Sequence, residues 1–287
     1  MSRLILILGD QLSPSISSLD GVDKEQDTLL LCEVMAEATY VGHHKKKIAF
    51  IFSAMRHFAE ELREAGYRVR YTTIDDEDNA GSFTGEVRRA VTAIDPLAIC
   101  VTEAGEWRVK SELESLEGAV GVPVEIRPDT RFLATQDEFR DWADGRKSLT
   151  MEYFYREMRR KTGLLMQGDE PVGGRWNFDA ENRNPAKPDL LRPKRLVVEP
   201  DEITKEVLGT VDALFSENFG TLKNFRFAVT RKDAERVMTS FIEDFLPNFG
   251  ATQDAMLRED PYLNHSLLSF YINSGLLDAL DVCKAAE

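Results

Sequence analysis

Two near-continuous apolar runs close to the start of the chain, residues 3–9 and 28–34, constrain its fold more than any other feature. Successive side chains of a strand point to opposite faces. A run that is apolar at every position therefore belongs to a strand covered on both sides, as in a parallel sheet between helices. The segments that follow fit that architecture. Residues 44–65 place Ile48, Ile51, Phe52, Met55, Phe58, Ala59 and Leu62 at helical spacing, and Gly66 supplies the stop. Residues 67–73 alternate as a strand, 83–94 read as helix, 98–102 as strand, 107–116 as helix and 123–126 as strand. This alternation predicts right-handed crossovers and a doubly wound parallel α/β sheet, whose ligands sit beyond the carboxyl ends of the strands.

From about Gln136 the pattern becomes helical, with a strong helix predicted over 150–165. Residues 167–200 are irregular, carrying Gly168, Pro171, Gly173, Gly174, Pro185, Pro188, Pro193 and Pro200. A stretch of that length is a linker or a functional loop. Helical patterns return at 201–215, 230–246 and 264–280. The expected organisation is an α/β domain over 1–135, a helical and irregular crossing segment over 136–200, and the start of an all-helical domain over 201–287. The chain stops at Lys284-Ala285-Ala286-Glu287, inside a helical pattern, which reads as part of something longer.

Composition narrows the class. With 43% hydrophobic and 30% charged residues, wholesale disorder is excluded. No apolar run approaches the ~20 residues of a membrane helix, and the opening run is too short for a signal-peptide core. Three widely spaced cysteines, Cys32, Cys100 and Cys283, argue against a disulfide framework and for a soluble cytoplasmic protein. A net charge of −14 argues against a nucleic-acid partner. The charge is uneven, however. Residues 140–195 hold 13 Lys+Arg against 9 Asp+Glu.

Several segments carry chemistry. Leu8-Gly9-Asp10-Gln11-Leu12 ends the first strand. It reads either as a plain turn or as a place where Gly9 admits a ligand to the backbone and Asp10 and Gln11 bond its polar groups. The second strand ends Cys32-Glu33-Val34-Met35-Ala36-Glu37, with Cys32 a small buried hydrophobe rather than a nucleophile. His43-His44-Lys45-Lys46-Lys47 opens the long helix. Adjacent histidines do not share a helix face, and lysines there oppose the helix dipole unless an anion is near. No GxGxxG or GxxxxGK[ST] is present. Tyr153-Phe154-Tyr155-Arg156 through Lys161, then Arg175-Trp176-Asn177-Phe178 and Asn182-Arg183-Asn184, interleave aromatics with bases. That pattern suits a phosphate backbone with stacked bases, or equally an amphipathic helix with a solvated basic face. Asn264-His265-Ser266 reads as a helix start, either an anion site or a simple cap.

Together these segments resemble bacterial photolyases of the iron–sulfur, cryptochrome-related group, which includes bacterial (6-4) photolyases. The resemblance rests on Leu6-Ile7-Leu8-Gly9-Asp10-Gln11-Leu12, Tyr40-Val41-Gly42-His43-His44-Lys45-Lys46-Lys47, residues 151–160 and Gly174-Arg175-Trp176-Asn177-Phe178-Asp179-Ala180-Glu181-Asn182-Arg183. Further on, the photolyase pattern Thr-Ser-x-Leu-Ser-Pro-Tyr-Leu-x-x-Gly is matched at Ser266, Leu268, Ser269, Tyr271 and Gly275, with His265 and Phe270 replacing Thr and Pro.

The resemblance implies an antenna domain followed by the start of a helical FAD-binding domain. It implies an antenna chromophore, 6,7-dimethyl-8-ribityllumazine, held by Gly9, Asp10, Gln11, Cys32, Glu37, Ile51 and Arg56. It implies flavin contacts from Gly250, Gln253, Asp254, His265, Ser266, Leu267, Leu268 and Ser269. It implies UV-damaged DNA as partner of a monomer, through Arg175, Asn182 and Arg183, with Lys45, Lys46 and Lys47 near the ligand-bearing rim. Relatives also hold a [4Fe-4S] cluster, which takes four thiolates, so its ligands are not in this chain. The implied activity is light-driven repair of pyrimidine photoproducts by a (6-4) DNA photolyase, a lyase, here as an incomplete enzyme. The alternatives are a cryptochrome-like photoreceptor, a standalone chromophore-binding module, and a Rossmann-like nucleotide-binding protein, the last weakened by the missing phosphate fingerprints.

Overall fold

A computed structural model describes residues 2–186 and 192–287. Lys187, Pro188 and Asp189 of the basic, proline-rich segment lie outside the described residues. The elements run β1 (Arg3–Leu6), β2 (Thr28–Cys32), α1 (Met35–Thr39), α2 (Lys45–Glu64), β3 (Val69–Thr72), α3 (Phe83–Ile94), β4 (Ala98–Thr102), α4 (Trp107–Val120) and β5 (Val124–Arg127). They continue with α5 (Gln136–Ala143), α6 (Met151–Thr162), the hairpin strands β6 (Met166–Gln167) and β7 (Glu170–Pro171), α7 (Glu202–Leu214), α8 (Arg231–Asp244), α9 (Leu246–Phe249), α10 (Ser269–Ser274) and α11 (Ala279–Ala286). The chain forms two compact units. One holds residues up to Thr130 with Val197–Asp233 and Asn273–Leu276; the other holds Arg131–Leu196, Ala234–Ile272 and Leu277–Glu287.

The first unit is built on a five-stranded sheet in the order β3-β2-β1-β4-β5. Every pairing is parallel, with Leu4 opposite Thr28 and Ile99, and Cys32 opposite Thr72. Residues 4–8 and 28–34 are buried at every position, as a sheet covered on both faces requires. One face packs Leu4, Leu6, Leu8, Leu30, Ile99 and Val101 against Val87, Ala90, Val109, Leu113 and Leu116 of α3 and α4. Ile5, Leu29 and Leu31 alternate with these and are equally buried. The chain runs from β1 outward to β3, then returns to place β4 on the other side of β1. That return makes a topological switch point between β1 and β4, where ligands of open α/β sheets bind.

Residues 197–233 return to this same unit. α7 packs along α2, which explains why α2 is buried on a broad arc that includes Ala49, Phe50 and Ala54 as well as the expected stripe. Arg56 Nη1 bonds Glu206 at 2.9 Å, His57 Nε2 lies 3.1 Å from Asp201, and the Phe52 and Phe215 rings stand 6.4 Å apart. Asn218 Nδ2 donates to the His43 carbonyl at 2.9 Å. Gly220, at φ 86°, lies so close to the His44 ring that a Cβ there would overlap it.

In the second unit, Phe139 and Trp142 of α5 meet Phe154 of α6 through ring contacts of 5.2 and 5.0 Å. A capping box at Thr135 and Glu138 starts α5. The continuous helix expected over 264–280 is absent. Leu263 and Leu267 take φ of 44° and 55°, in the left-handed region that ends helices. α10 therefore starts only at Ser269, stops before Gly275 at φ 86°, and gives way to α11.

Candidate functional site

A cavity of about 180 Å³ opens at the carboxyl ends of β1, β2 and β4, at the switch point. Its wall is apolar: Leu8, Val34, Ile48, Ile51, Phe52, Met55, Phe83, Ala104 and Val109. Its polar residues are Asp10, Glu33, Glu37, Tyr40, His43, Lys47 and Glu106. Gly9 lets the strand end approach α2 closely. A Cβ at that position would come within 3.0 Å of Met55 Sδ and 3.2 Å of Ile51 Cγ2.

Two ion-pair systems fix the polar side. Glu33, 1% exposed, accepts from Arg56 Nε at 2.8 Å and Nη2 at 3.2 Å, from the Tyr71 hydroxyl at 2.7 Å and from the Ile74 amide at 2.8 Å. Burial opposes the Arg56 charge, but the Glu33 bond outweighs it and holds the guanidinium above its ordinary range. Burial, followed by the Glu33 charge, pushes the Tyr71 phenol well up. At the rim, Arg108 grips Glu37 with two bonds of 2.7 Å, reaches Glu106 at 3.0 Å, and covers the Tyr40 ring at 4.3 Å. The Glu37 bond holds the Arg108 guanidinium above its usual range. His43 stacks edge-on against Tyr40 at 5.0 Å and meets Lys47 Nζ at 3.3 Å. Burial, then the Lys47 charge, lowers its pKa. Burial also pushes the Cys32 thiol far up, so Cys32 is neutral and unreactive in the wall.

Of the seven expected antenna positions, Gly9, Asp10, Cys32, Glu37 and Ile51 line this cavity. Gln11 does not. Its side chain accepts from the Leu8 amide at 3.2 Å and donates to the Thr102 and Glu103 carbonyls at 3.0 and 3.2 Å, tying β1 to β4. Arg56 stands one layer behind, holding Glu33. Of the three lysines, Lys47 lines the cavity while Lys45 faces Asp212 at 3.7 Å. Sequence reasoning missed Tyr40, His43 and Glu106 as lining residues. Glu106 was within reach, because it follows β4 as Asp10 follows β1.

The flavin and DNA candidates lie in the second unit, and two groups of them meet. The Asp254 amide donates to the Asn182 carbonyl at 3.1 Å and the Asn184 amide to the Ala251 carbonyl at 3.0 Å. Arg183 Nε is 3.4 Å from Asp254 Oδ2. Gly250 and Gln253 belong to the same turn, with the Gln253 amide donating to the Gly250 carbonyl at 3.4 Å. Asn182 is buried with its side-chain oxygen unpartnered. Arg175 pairs with Glu181 at 2.8 Å and covers the Phe178 ring at 4.4 Å. In the 265–269 stretch, the His265 ring contacts Phe249 at 5.4 Å, the Ser266 hydroxyl accepts from the Leu268 amide at 3.4 Å, Leu267 takes its positive φ, Leu268 is buried, and Ser269 opens α10. α10 has six residues and starts at Ser269, past the Asn264-His265-Ser266 start that the sequence offered as either an anion site or a cap.

Three of the four bases of α6 pair with carboxylates, Arg156 with Glu152, Arg160 with Glu157 at 3.0 Å and Lys161 with Glu138 at 2.6 Å, while Arg159 bonds the Leu164 and Leu165 carbonyls. Arg156, Arg159 and Arg160 also surround the Trp176 ring at 4.8 to 5.4 Å. Among the described residues, no group of three or more His, Cys, Asp or Glu could hold a metal ion, and no helix is long and apolar enough to cross a membrane.

The comparisons agree with this geometry. A (6-4) photolyase of Agrobacterium fabrum is 76% identical over 287 residues, a match that covers all of this chain and 57% of that protein. The chain thus spans little more than half the length of that relative. The crystal structure of a bacterial class III photolyase from Agrobacterium tumefaciens matches with a TM-score of 0.55 over 99% of this chain and 52% of its own, at 12% identity, a likeness of fold. The model of the family described as deoxyribodipyrimidine photo-lyase-related protein matches residues 5–227. With the parallel sheet and its strand-end cavity, these matches establish that the chain belongs to the deoxyribodipyrimidine photolyase-related family.

Proposed function

We propose that this chain is the antenna-bearing part of a (6-4) photolyase, a flavoenzyme that repairs UV photoproducts in DNA with light. The observation that carries the reading is the strand-end cavity, apolar along one wall and polar at its rim. A planar, polyol-substituted chromophore such as 6,7-dimethyl-8-ribityllumazine needs both. Ile51, Met55 and Phe52 would face the ring, while Asp10, Glu37, Tyr40 and His43 would take the ribityl hydroxyls. Bound there, the lumazine would collect near-UV light and pass the excitation on.

FAD, when bound, would supply the electron that reverses the lesion. Residues 250–254 and 265–269 are our candidates for part of its cradle, although several of their polar atoms are bonded within the local turns. A [4Fe-4S] cluster does not fit this chain, which has three cysteines where four thiolates are needed, two of them buried in the sheet. Asn182, Arg183 and Arg175 are candidates for the DNA-facing loop. The 1–135, 136–200 and 201–287 division, read from the sequence as antenna, crossing segment and flavin-domain start, is our functional map of a monomer working in the reducing cytoplasm, with the boundary of the last part shifted because residues 197–233 pack into the α/β unit.

Titration of the chain with 6,7-dimethyl-8-ribityllumazine, followed by its absorption and fluorescence, tests the reading. Saturable one-to-one binding is expected. An unchanged spectrum at saturating protein would end it.

A further inference from the structure

We propose that the strand-end cavity selects its chromophore by charge, accepting a neutral polyol-bearing ring and rejecting the same ring with a phosphate tail. The inference rests on the lumazine reading above and adds a rule of exclusion to it. The wall formed by Leu8, Val34, Ile51, Phe52, Met55 and Phe83 has no partner for a phosphate, so the tail of any occupant must sit among the polar residues. Those carry four carboxylates, Asp10, Glu33, Glu37 and Glu106, and Lys47 is the single Lys or Arg among the described lining residues.

The nearby guanidinium groups do not change the balance. Arg56 is held by Glu33 and Glu206, and Arg108 by Glu37 and Glu106. Counting these two with the lining residues, the rim keeps a net negative charge. His43 adds no cation near neutral pH, because its buried ring next to Lys47 favours the neutral form. The first turns of α2 and α4 also reach the rim, and a helix start favours an anion. Each carries only about half a charge, confined to its first turn, and Glu106 sits at the start of α4. Hydroxyls meet the opposite situation. A ribityl chain can donate to Asp10, Glu37 and Glu106, and charge-assisted bonds of that kind are the stronger class.

The test compares 6,7-dimethyl-8-ribityllumazine with its 5′-phosphate ester by fluorescence titration of the intact chain. At low salt the ester should bind roughly tenfold more weakly or worse. The gap should shrink toward about twofold near 0.5 M salt, where screening acts over only a few ångströms. Glu106→Gln, at an exposed side chain with no capping bond, should narrow the gap at low salt, and Asp10→Asn should do the same from the opposite strand end. Equal or tighter binding of the ester at low salt would overturn the charge rule and leave the lumazine site standing. If neither compound binds, the antenna reading itself fails and takes the rule with it.

Discussion

The cavity at the strand ends and the arginine-rich stretch from α6 to Arg183 are both dense in charge, yet they are organised in opposite ways. In the cavity, pairs form between residues far apart in sequence: Glu33 with Arg56, Glu37 with Arg108, Arg56 with Glu206. Glu33 and Arg56 are held out of water in one geometry. In the arginine-rich stretch, Arg156 with the half-buried Glu152 and Arg160 with the exposed Glu157 are partners three or four residues apart on one helix. Pairs of the second kind contribute about 0.3–0.5 kcal/mol and yield readily to a stronger anion. The first region is thus held in one geometry by pairs between distant parts of the chain, and the second is tied mainly within its own helix.

That contrast can be broken or sharpened by substitution. The largest effect is expected at Arg56. Arg56→Ala leaves the Glu33 carboxylate buried without its cation and should cost about 3–5 kcal/mol in urea unfolding; a loss below about 1 kcal/mol would mean the cavity wall is no more rigid than the helix surface. Next is Ile51→Trp, which overfills the cavity beside Gly9. Overpacking of about 1–3 kcal/mol should weaken lumazine binding about 10- to 100-fold in a fluorescence titration, while the fold, followed by circular dichroism, persists.

A smaller effect is expected at Asp201, which caps α7 through the Thr204 amide at 2.9 Å and pairs with His57. Burial tends to raise its pKa, but the Thr204 and His57 interactions outweigh this and hold it below its ordinary 3.8. A depressed carboxylate stabilises the fold above its unfolded pKa, and that stability disappears as the pH falls through the folded value. Asp201→Ala should therefore cost about 1 kcal/mol at neutral pH, and its stability should converge with that of the parent as the pH falls through the lowered folded value. A gap that stays constant in acid would assign the loss to packing. The smallest effect is expected at Arg183. Because it already faces Asp254, Arg183→Ala should lower the salt slope of DNA binding by less than about one unit. A full unit or more would show that the arginine is unengaged in solution.

Much of the fold was legible because the apolar runs of β1 and β2 and the spacing in α2 and α3 are direct consequences of burial. The rule that ligands lie beyond strand ends pointed to the place of the cavity, while the family resemblance supplied the candidates Gly9, Asp10, Cys32 and Glu37 at the strand ends and Ile51 on α2, all of which line it. Gln11 stands outside the cavity lining because its amide locks β1 to β4 through the Leu8 amide and the Thr102 and Glu103 carbonyls, a role that an amide at a strand end serves as well as a ligand contact. Tyr40 and His43 were missed because they reach the cavity from the loop before α2, a placement set by the docking of Asn218 and Gly220. The return of α7 onto α2 left a trace in the sequence, since Ala49, Phe50 and Ala54 widen the apolar arc of α2 beyond one face. The break before α10 left none, because leucine gives no warning of a positive φ.

The close fit of Gly220 on His44 has a practical side for anyone who wishes to dissect this protein. The sheet ends in sequence at Arg127, and a natural place to cut would be just after it. Such a cut would strip α7, Phe215 and Gly220 from α2 and leave Phe52 and the Arg56 guanidinium facing water. A soluble, ligand-competent version of the α/β unit should instead splice residues up to Thr130 to the 197–233 strap through a short linker, so that the strap, not the sheet, decides where the piece can be divided.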